Sequence, residues 1–539
     1  MTWGRTFTRC NNRDVSNVTD MSYVFCSVQY DQECNYDLRD FNANISNWNT
    51  SSVTDMTRMF KDQSSFNGDI SNWDTSRVRN LISTFEYATA FTGDGISSWD
   101  TSSVTNMSGC FKDADLFTGH GVTSWNTVSV KSLSHTFEGT KLSHANLSNW
   151  NTSSVIDMWA TFKSSNLSTG VGISNWITSK VTSLREMFEG AISFTGDELW
   201  NWNTHEVTNM DSTFSYVTSF TGDGVSNWDT SRVTSLAYTF YGATLFTGDG
   251  VSSWNTSSVT SLYATFSHAT SFTGHGVSNW NTSRVTNLEM TFYEASSFTG
   301  HGVSNWDTSR VTSLVYTFAS ATSFTGDGLS NWDTSSVTSM QNTFFSATSF
   351  IGDGLSNWNT SSVTNLYSTF EQATSFTGES LSDWNTARVS SMYQTFMNAV
   401  SFTGKGIEHW DVNRIDYGEF FGVFYNCQAF NGDLSRWQMP EMRNFIHDIS
   451  VFYNTTSLDN CMKSRIYTNW TSYGMAFDDT YYAEWKNLSF CGISLHYKLS
   501  TLSCMDFERQ ICTFSFSFSL SLSLSLSPIY ISLIHFRLL

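Results

Sequence analysis

Along residues 220–243 (FTGDGVSNWDTSRVTSLAYTFYGA) the apolar positions are Phe220, Val225, Trp228, Val233, Leu236, Phe240 and Ala243, with Ser, Thr, Asn, Asp and Gly between them. These seven side chains read as pointing inward, separated by turns. Gly222-Asp223-Gly224 is the first turn, since glycine takes positive φ without steric cost and Asp tolerates the same region. Val225–Trp228 reads as a short extended segment, and Asp229-Thr230-Ser231 as a second turn. Val233–Leu236 reads as another extended segment. Tyr238–Ala243 reads as a single helical turn bearing Phe240.

The same pattern returns about every 26 residues from residue 41 to residue 437. Tryptophan marks it at Trp48, Trp73, Trp99, Trp125 and onward through Trp228 and Trp254 to Trp410 and Trp437. A valine comes five residues after each of the first fourteen tryptophans (Val233, Val259), and a phenylalanine seven residues after that (Phe240, Phe266). A fixed period in this range indicates a solenoid, propeller or array. Twenty-six residues are too few for a four-stranded blade and suit one solenoid turn. One coil cannot bury seven apolar side chains alone, whereas stacked neighbours can, each aromatic lying on its copies. Sixteen coils at a strand spacing of ~4.8 Å would extend ~75–80 Å. Trp228, Val233, Phe240, Trp254, Val259 and Phe266 are the structural core of this expectation.

The chain divides into four segments. Residues 1–40 hold one imperfect coil, 41–445 the regular array, 446–511 an irregular C-terminal segment, and 512–539 a Ser/Leu low-complexity tail. Strict Ser/Leu alternation is what a pyrimidine dinucleotide tract encodes, so the tail reads as a translated microsatellite. A membrane-inserted tail is the alternative, and the only source of membrane contact. MTWGRTFTRCNNRD lacks the apolar stretch of a secretory signal. That leaves an intracellular protein or a truncated start, and the match of Val18-Thr-Asp-Met21 to Val53-Thr-Asp-Met56 favours the second. The only prolines, Pro440 and Pro528, come after the last regular coil, as a backbone ladder between coils demands.

A formal net charge of −20 argues against nucleic acid, whose binding rests on Lys and Arg neutralising phosphates. Nine cysteines lie mostly outside the array; Cys10, Cys26, Cys34, Cys427, Cys461, Cys491, Cys504 and Cys512 sit at its ends and Cys110 alone in its middle. Stapled caps in an oxidising compartment and unpaired thiols are both open. No Gly-x-Ser-x-Gly, His-Glu-x-x-His or Gly-Lys-Ser/Thr motif occurs, and carboxylates recur with the repeat instead of converging, so no enzyme and no cofactor is expected.

Polar columns run with the repeat. Asn and Asp exchange freely after Trp (Asn203, Asp229, Asn255, Asn281, Asp307), which points to a side-chain oxygen capping a backbone N–H. Asp94, Asp223, Asp249, Asp327 and Asp353 occupy the middle of the Gly-x-Gly turn and are the candidates for cation binding, but His120, His275, His301 and Lys405 interrupt them. Two Thr columns, at Thr230 and Thr234 and their copies, raise an ice-binding alternative. Recognition should lie in variable positions: Tyr238, Tyr263, Tyr316 and Tyr367, or Arg232, Arg284, Arg310 and Arg388.

The pattern W-[DN]-T-S-x-V-T-x-[ML]-x-x-x-F-x-x-A, with an upstream Phe-Asn/Thr-Gly-Asp, resembles the BspA-like leucine-rich-repeat surface proteins, in the branch termed DUF285. Phe66-Asn-Gly-Asp-Ile-Ser-Asn-Trp73 with Asp-Thr-Ser-Arg-Val78 after it is among the closest copies, and the likeness spans about residues 11–445. The commoner Thr-Gly-Asp-Gly turn is one residue longer than the family's form. The resemblance implies a right-handed leucine-rich-repeat-like solenoid with short parallel strands and short helical turns. It further implies a place at or outside the cell surface and a role in adhesion, with protein or glycan as partner. Asn-x-Ser/Thr sequons such as Asn17, Asn44, Asn106, Asn255, Asn281 and Asn359 would fit secretion. The alternatives are an intracellular interaction scaffold and an ice- or cation-binding structural protein.

Overall fold

The computed structural model describes residues 15–28, 33–34, 38, 40–143, 145–167, 171–416, 418–439, 451–473, 482 and 484–488, and the backbone of 496–504 and 512–519. The expectations for residues 1–14, Pro440, Cys10, Cys491 and 520–539 fall outside these.

The chain is a tandem array in which each repeat stacks in register on the next. One residue per coil, two after the valine, forms a parallel bridge with its copies: Asp20 with Asp55, then coil by coil through Ser235 with Ser261 to Asn365 with Ser391. The expected parallel strands thus shrink to single bridged residues. The hydrogen bonds just past each bridge explain why. Leu236, Tyr238, Phe240 and Gly242 donate their N–H groups to Ser261, Tyr263, Thr265 and Ser267 of the next coil, at 3.1, 2.9, 3.0 and 2.8 Å. The intervening Thr239, Tyr241 and Ala243 donate three residues back, to Leu236, Tyr238 and Phe240, each at 3.1 Å.

This alternation replaces the helical turn expected at Tyr238–Ala243. A helix keeps its N–H groups within the segment; here every second one leaves for the neighbouring coil. The backbone reaches that geometry with a left-handed residue at two positions per coil, Tyr238 (φ 57°) and Gly242 (φ 66°), repeated at Ala264 and His268, Met290 and Glu294, and Tyr316 and Ser320. Val225–Trp228 is likewise not extended. The Trp228 N–H closes a turn on the Val225 carbonyl at 3.1 Å. Elsewhere the same place is a 3-10 turn, as in Leu329–Asn331 after Gly328 at φ 86°. The left-handed glycine redirects the chain before a strand can run.

Three ring columns fill the core. Trp228 stacks on Trp254 at 6.3 Å and 2°, Phe240 on Phe266 at 5.7 Å and 3°, and Phe220 on Phe246 at 5.9 Å. Phe240 and Phe246, six residues apart, lie at 4.1 Å. Most buried polar groups are partnered coil to coil, the hydroxyls of Ser267, Ser368 and Ser380 being exceptions. Trp228 Nε1 donates to the Leu199 carbonyl at 3.3 Å, and Thr230 Oγ1 to the Asn255 carbonyl at 3.0 Å. Thr239 Oγ1 lies within reach of the Leu236 carbonyl (2.8 Å) and of the Met210 carbonyl in the preceding coil (3.2 Å). Each column therefore satisfies buried polar atoms that an isolated coil would leave orphaned.

The ring columns continue past residue 445. Phe452 stacks on Phe424 at 5.5 Å. Helix α1, Asn460–Ser472, then carries Trp470 onto Trp437 at 6.4 Å, with its Nε1 donating to the Leu434 carbonyl at 3.3 Å. Asp459 caps α1 by accepting the Met462 N–H at 2.8 Å. The 446–511 segment, expected to be irregular, thus supplies a closing helix; the step from Trp437 to Trp470 departs from 26 residues, which hid it from the periodicity. β1, His496–Cys504, pairs antiparallel with β2, Cys512–Ser519. Cys26 and Cys34 form a disulfide, Cys461 is disulfide-bonded, and Cys110 and Cys427 are buried free thiols. Among the described residues no helix is long and apolar enough to cross a membrane.

Candidate binding face

The alternating segment decides which variable side chains meet solvent. Phe240 turns into the stack, and the residues four, five, eight and nine after each valine (Ala237, Tyr238, Tyr241 and Gly242 in this coil) run along one side of the array, exposed at Tyr216 and Tyr238 and buried at Gly242, Ala264, Ser267 and Ala319. Its character changes with position. In the N-terminal half the residue after each core Phe alternates in sign: Lys61, Glu86, Lys112, Glu138, Lys163, Glu189. Lys61 pairs with Glu86 at 2.7 Å, Lys112 with Glu138 at 3.0 Å, and Lys163 with Glu186 at 2.7 Å and Glu189 at 3.2 Å. His135 closes on Glu138 as well.

From residue 216 the face turns aromatic. Tyr216 meets Tyr241 at 5.0 Å, Tyr241 meets Tyr238 at 5.7 Å, and Tyr238 meets Tyr263 at 5.1 Å, all edge to face. The chain of rings continues through His268, 5.0 Å from Tyr241 and 5.2 Å from Tyr293, to Tyr316, 5.8 Å beyond. Tyr216 is 51% and Tyr238 38% exposed. Burial, with the Tyr263 phenol beside it, pushes the Tyr238 phenol up to about 12. A hydrogen bond to the Glu294 carboxylate, with burial, pushes Tyr293 to about 12. Both rings therefore stay neutral with their O–H intact.

Of the sequence candidates, Tyr238, Tyr263 and Tyr316 belong to this strip. Tyr367 does not; it stacks flat on Tyr393 at 4.8 Å, and Tyr393 on Phe421 at 5.1 Å, in a separate ladder. Arg232, Arg284 and Arg310 are exposed on the turn before the bridge, where Arg232 pairs with Glu206. Sequence reasoning missed Tyr216, Tyr241, His268 and Tyr293. The signal was available in the residues at the places of Tyr241 and Gly242, read down the columns instead of along the chain.

The Asp94, Asp223, Asp249, Asp327 and Asp353 column lies on the edge formed by the Gly-x-Gly turns. Two of the residues that interrupt it lie against carboxylates of this edge: His275 against Asp249 at 3.0 Å, and Lys405 against Glu379, in the same turn of another coil, at 3.1 Å. Among the described residues no three His, Cys, Asp or Glu side chains converge to hold a metal. Of the two Thr columns, Thr230 and its copies are buried, which removes them from any ice-facing surface. Thr234 and its copies are exposed, but Thr260 Oγ1 donates to the Thr234 carbonyl at 3.1 Å, spending its proton on the backbone.

The Asx column caps turns. Asp229 Oδ1 accepts the Ser231 N–H at 2.9 Å, as Asn255 and Asp307 do for Ser257 and Ser309. The Ser231 hydroxyl first, then His205 and the Ser231 N–H, hold the Asp229 carboxyl down at about 2. A carboxyl lowered on folding adds stability above its unfolded value of ~3.9 and loses it as pH falls through the folded value. Asp229→Asn keeps the capping oxygen and cannot titrate. Wild type is expected to match or exceed this variant in Tm near pH 6, and to lose ground against it between about pH 4 and pH 2. Parallel melting curves in both ranges check this.

The repeat matches the family described as "Mycoplasma protein of unknown function, DUF285" over residues 5–120, 107–223, 161–275, 216–327, 261–373 and 351–465. No curated protein sequence matches the chain.

Proposed function

The chain belongs to this DUF285 repeat family, and on that premise we propose that it is a non-enzymatic scaffold that binds a macromolecule through its aromatic face, at or outside the cell surface. The observation that carries the reading is the strip from Tyr216 to Tyr316. Tyr rings that are part-exposed and locked edge to face offer large contact area at small entropic cost, and such residues dominate interface energetics. Large faces of stacked repeats suit this role. The array then winds as a right-handed leucine-rich-repeat-like solenoid of the BspA-like type. The Cys26–Cys34 disulfide supports an oxidising compartment.

The test is binding of the full chain to arrays of extracellular proteins and glycans, repeated with Tyr238→Ser/Tyr263→Ser. A ligand held by wild type and lost by this variant, with an unchanged melting curve, supports the reading. Ligands retained equally by both overturn it. Surface labelling of intact cells tests the location separately.

A further inference from the structure

The outward face has its own rule for aromatic residues, and the strip breaks it. In the N-terminal half Arg58 lies over Tyr23 at 5.4 Å, Lys61 over Tyr87 at 6.0 Å, and Arg185 over Trp159 at 5.2 Å. Each cation comes from a neighbouring coil, so the stacking geometry places it there. No Lys or Arg among the described residues lies over a ring of the strip.

The columns show what stands there instead. Trp159 and Arg185 are both the fourth residue after their valines, in successive coils; the corresponding pair in the strip is Tyr263 and Glu289. Lys61 and Tyr87 are the eighth and ninth residues after the valines of successive coils; their counterparts are Glu189 and Tyr216. The fourth position thus holds a cation over a ring at Arg185 and a carboxylate at Glu289, and the eighth, where Lys61 covers Tyr87, holds a carboxylate in the coil that borders the strip at Tyr216. Glu189 is engaged by Lys163. Glu289 is fixed by the Ser313 hydroxyl at 2.6 Å, and Asp211 by the Ser235 hydroxyl at 2.6 Å. Glu294 pairs with His268 at 2.9 Å while remaining 43% exposed.

We propose that the strip from Tyr216 to Tyr316, with Asp211, Glu289 and Glu294, receives the guanidinium and ammonium groups of a basic polypeptide segment laid along the stack. This rests on the binding role proposed above and names its partner class. A cation over a ring face with a carboxylate beside it is stabilised by both. A chain of net charge −20 also draws basic partners. Five coils at ~4.8 Å each exceed the reach of one small cation and match several residues of an extended peptide. The edge-to-face rings offer no flat platform for stacked sugars.

The experiment titrates the full chain with a labelled oligo-arginine peptide at about 0.15 M salt, where long-range attraction is screened to ~8 Å. Tyr238→Ser/Tyr263→Ser should weaken binding about tenfold, since two cation–π contacts are each worth ~0.5–1 kcal/mol when exposed. Glu289→Gln/Glu294→Gln should weaken it several-fold, whereas Asp223→Asn/Asp249→Asn, removing the same charge from the turn edge, should leave it within about twofold. Glu289→Arg supplies the chain's own cation over Tyr263 and should weaken binding more than Glu289→Gln. Equal losses from both acidic pairs, no effect of the Tyr variant, or no saturable binding overturn the proposal. A neutral oligosaccharide bound by wild type and lost by the Tyr variant overturns it too, while leaving the broader binding role standing. If neither probe nor any array ligand depends on the strip, both fall.

Discussion

Trp228→Ala is expected to cost about 3–5 kcal/mol, the range for removing a large buried aromatic. Trp228 is 3% exposed and stacks 6.3 Å from both Trp202 and Trp254, with Phe214 at 5.7 Å. Its loss opens a void in the middle of an unbroken column and leaves the Leu199 carbonyl without its indole donor. The consequence is more than a lower midpoint. Stability in a stacked array is close to a sum of repeats and nearest-neighbour interfaces. Weakening both interfaces of one central coil should let the two halves unfold apart. Guanidinium unfolding monitored by circular dichroism should show one transition in wild type and two in the variant. Trp228→Phe should restore part of the loss. A single transition displaced by less than about 1 kcal/mol would contradict the column as a continuous core.

Gly248→Ala carries the second largest expected effect, from a change of one methyl group. Gly248 sits at φ 105°, and a Cβ there would lie 2.0 Å from the His275 carbonyl oxygen of the next coil. Backbone strain of this kind costs ~1–3 kcal/mol. The clash adds a further ~1–3 kcal/mol, because the atom struck is backbone and moving it disturbs the next coil. Gly190→Ser is the control. Its φ of 69° is the ordinary left-handed region, its Cβ would meet the Ser164 side-chain oxygen at 3.1 Å and nothing closer, and the neighbouring coils already hold Ser164 and Tyr216 at that place. It should cost about 1–2 kcal/mol or less. Thermal melts of both variants against wild type decide the point; equal losses would mean that approach between coils does not set the glycine requirement.

These two residues mark what was legible in the chain. Trp228 could be read as core because its copies keep the same distance to Val233 and Phe240 through fourteen coils. Gly222 and Gly224 could be read as a turn because glycine is the residue that takes positive φ freely. Both are local inferences multiplied by repetition. The segment after the bridge resisted the same treatment. Tyr238, Ala264, Met290 and Tyr316 are all left-handed, yet none is a residue type that advertises that conformation. The signal lies in which carbonyl each N–H reaches, and that carbonyl belongs to another coil. Helix α1 was hidden for a related reason, since Trp470 joins the Trp column by packing and not by period.

The binding face divides the same way. Tyr238, Tyr263 and Tyr316 stood out as variable aromatics, but Tyr216, Tyr241, His268 and Tyr293 join them only when columns nine and eight residues after the valine are placed side by side. The sequence by itself determined the repeat, its length, the buried positions and the turns, because each depends on residue type at a fixed spacing. Tertiary structure decided the hydrogen-bond alternation, the capping helix and the grouping of rings and carboxylates on one face. Those depend on distances between coils, where residues about 26 positions apart in the chain become neighbours at bonding distance.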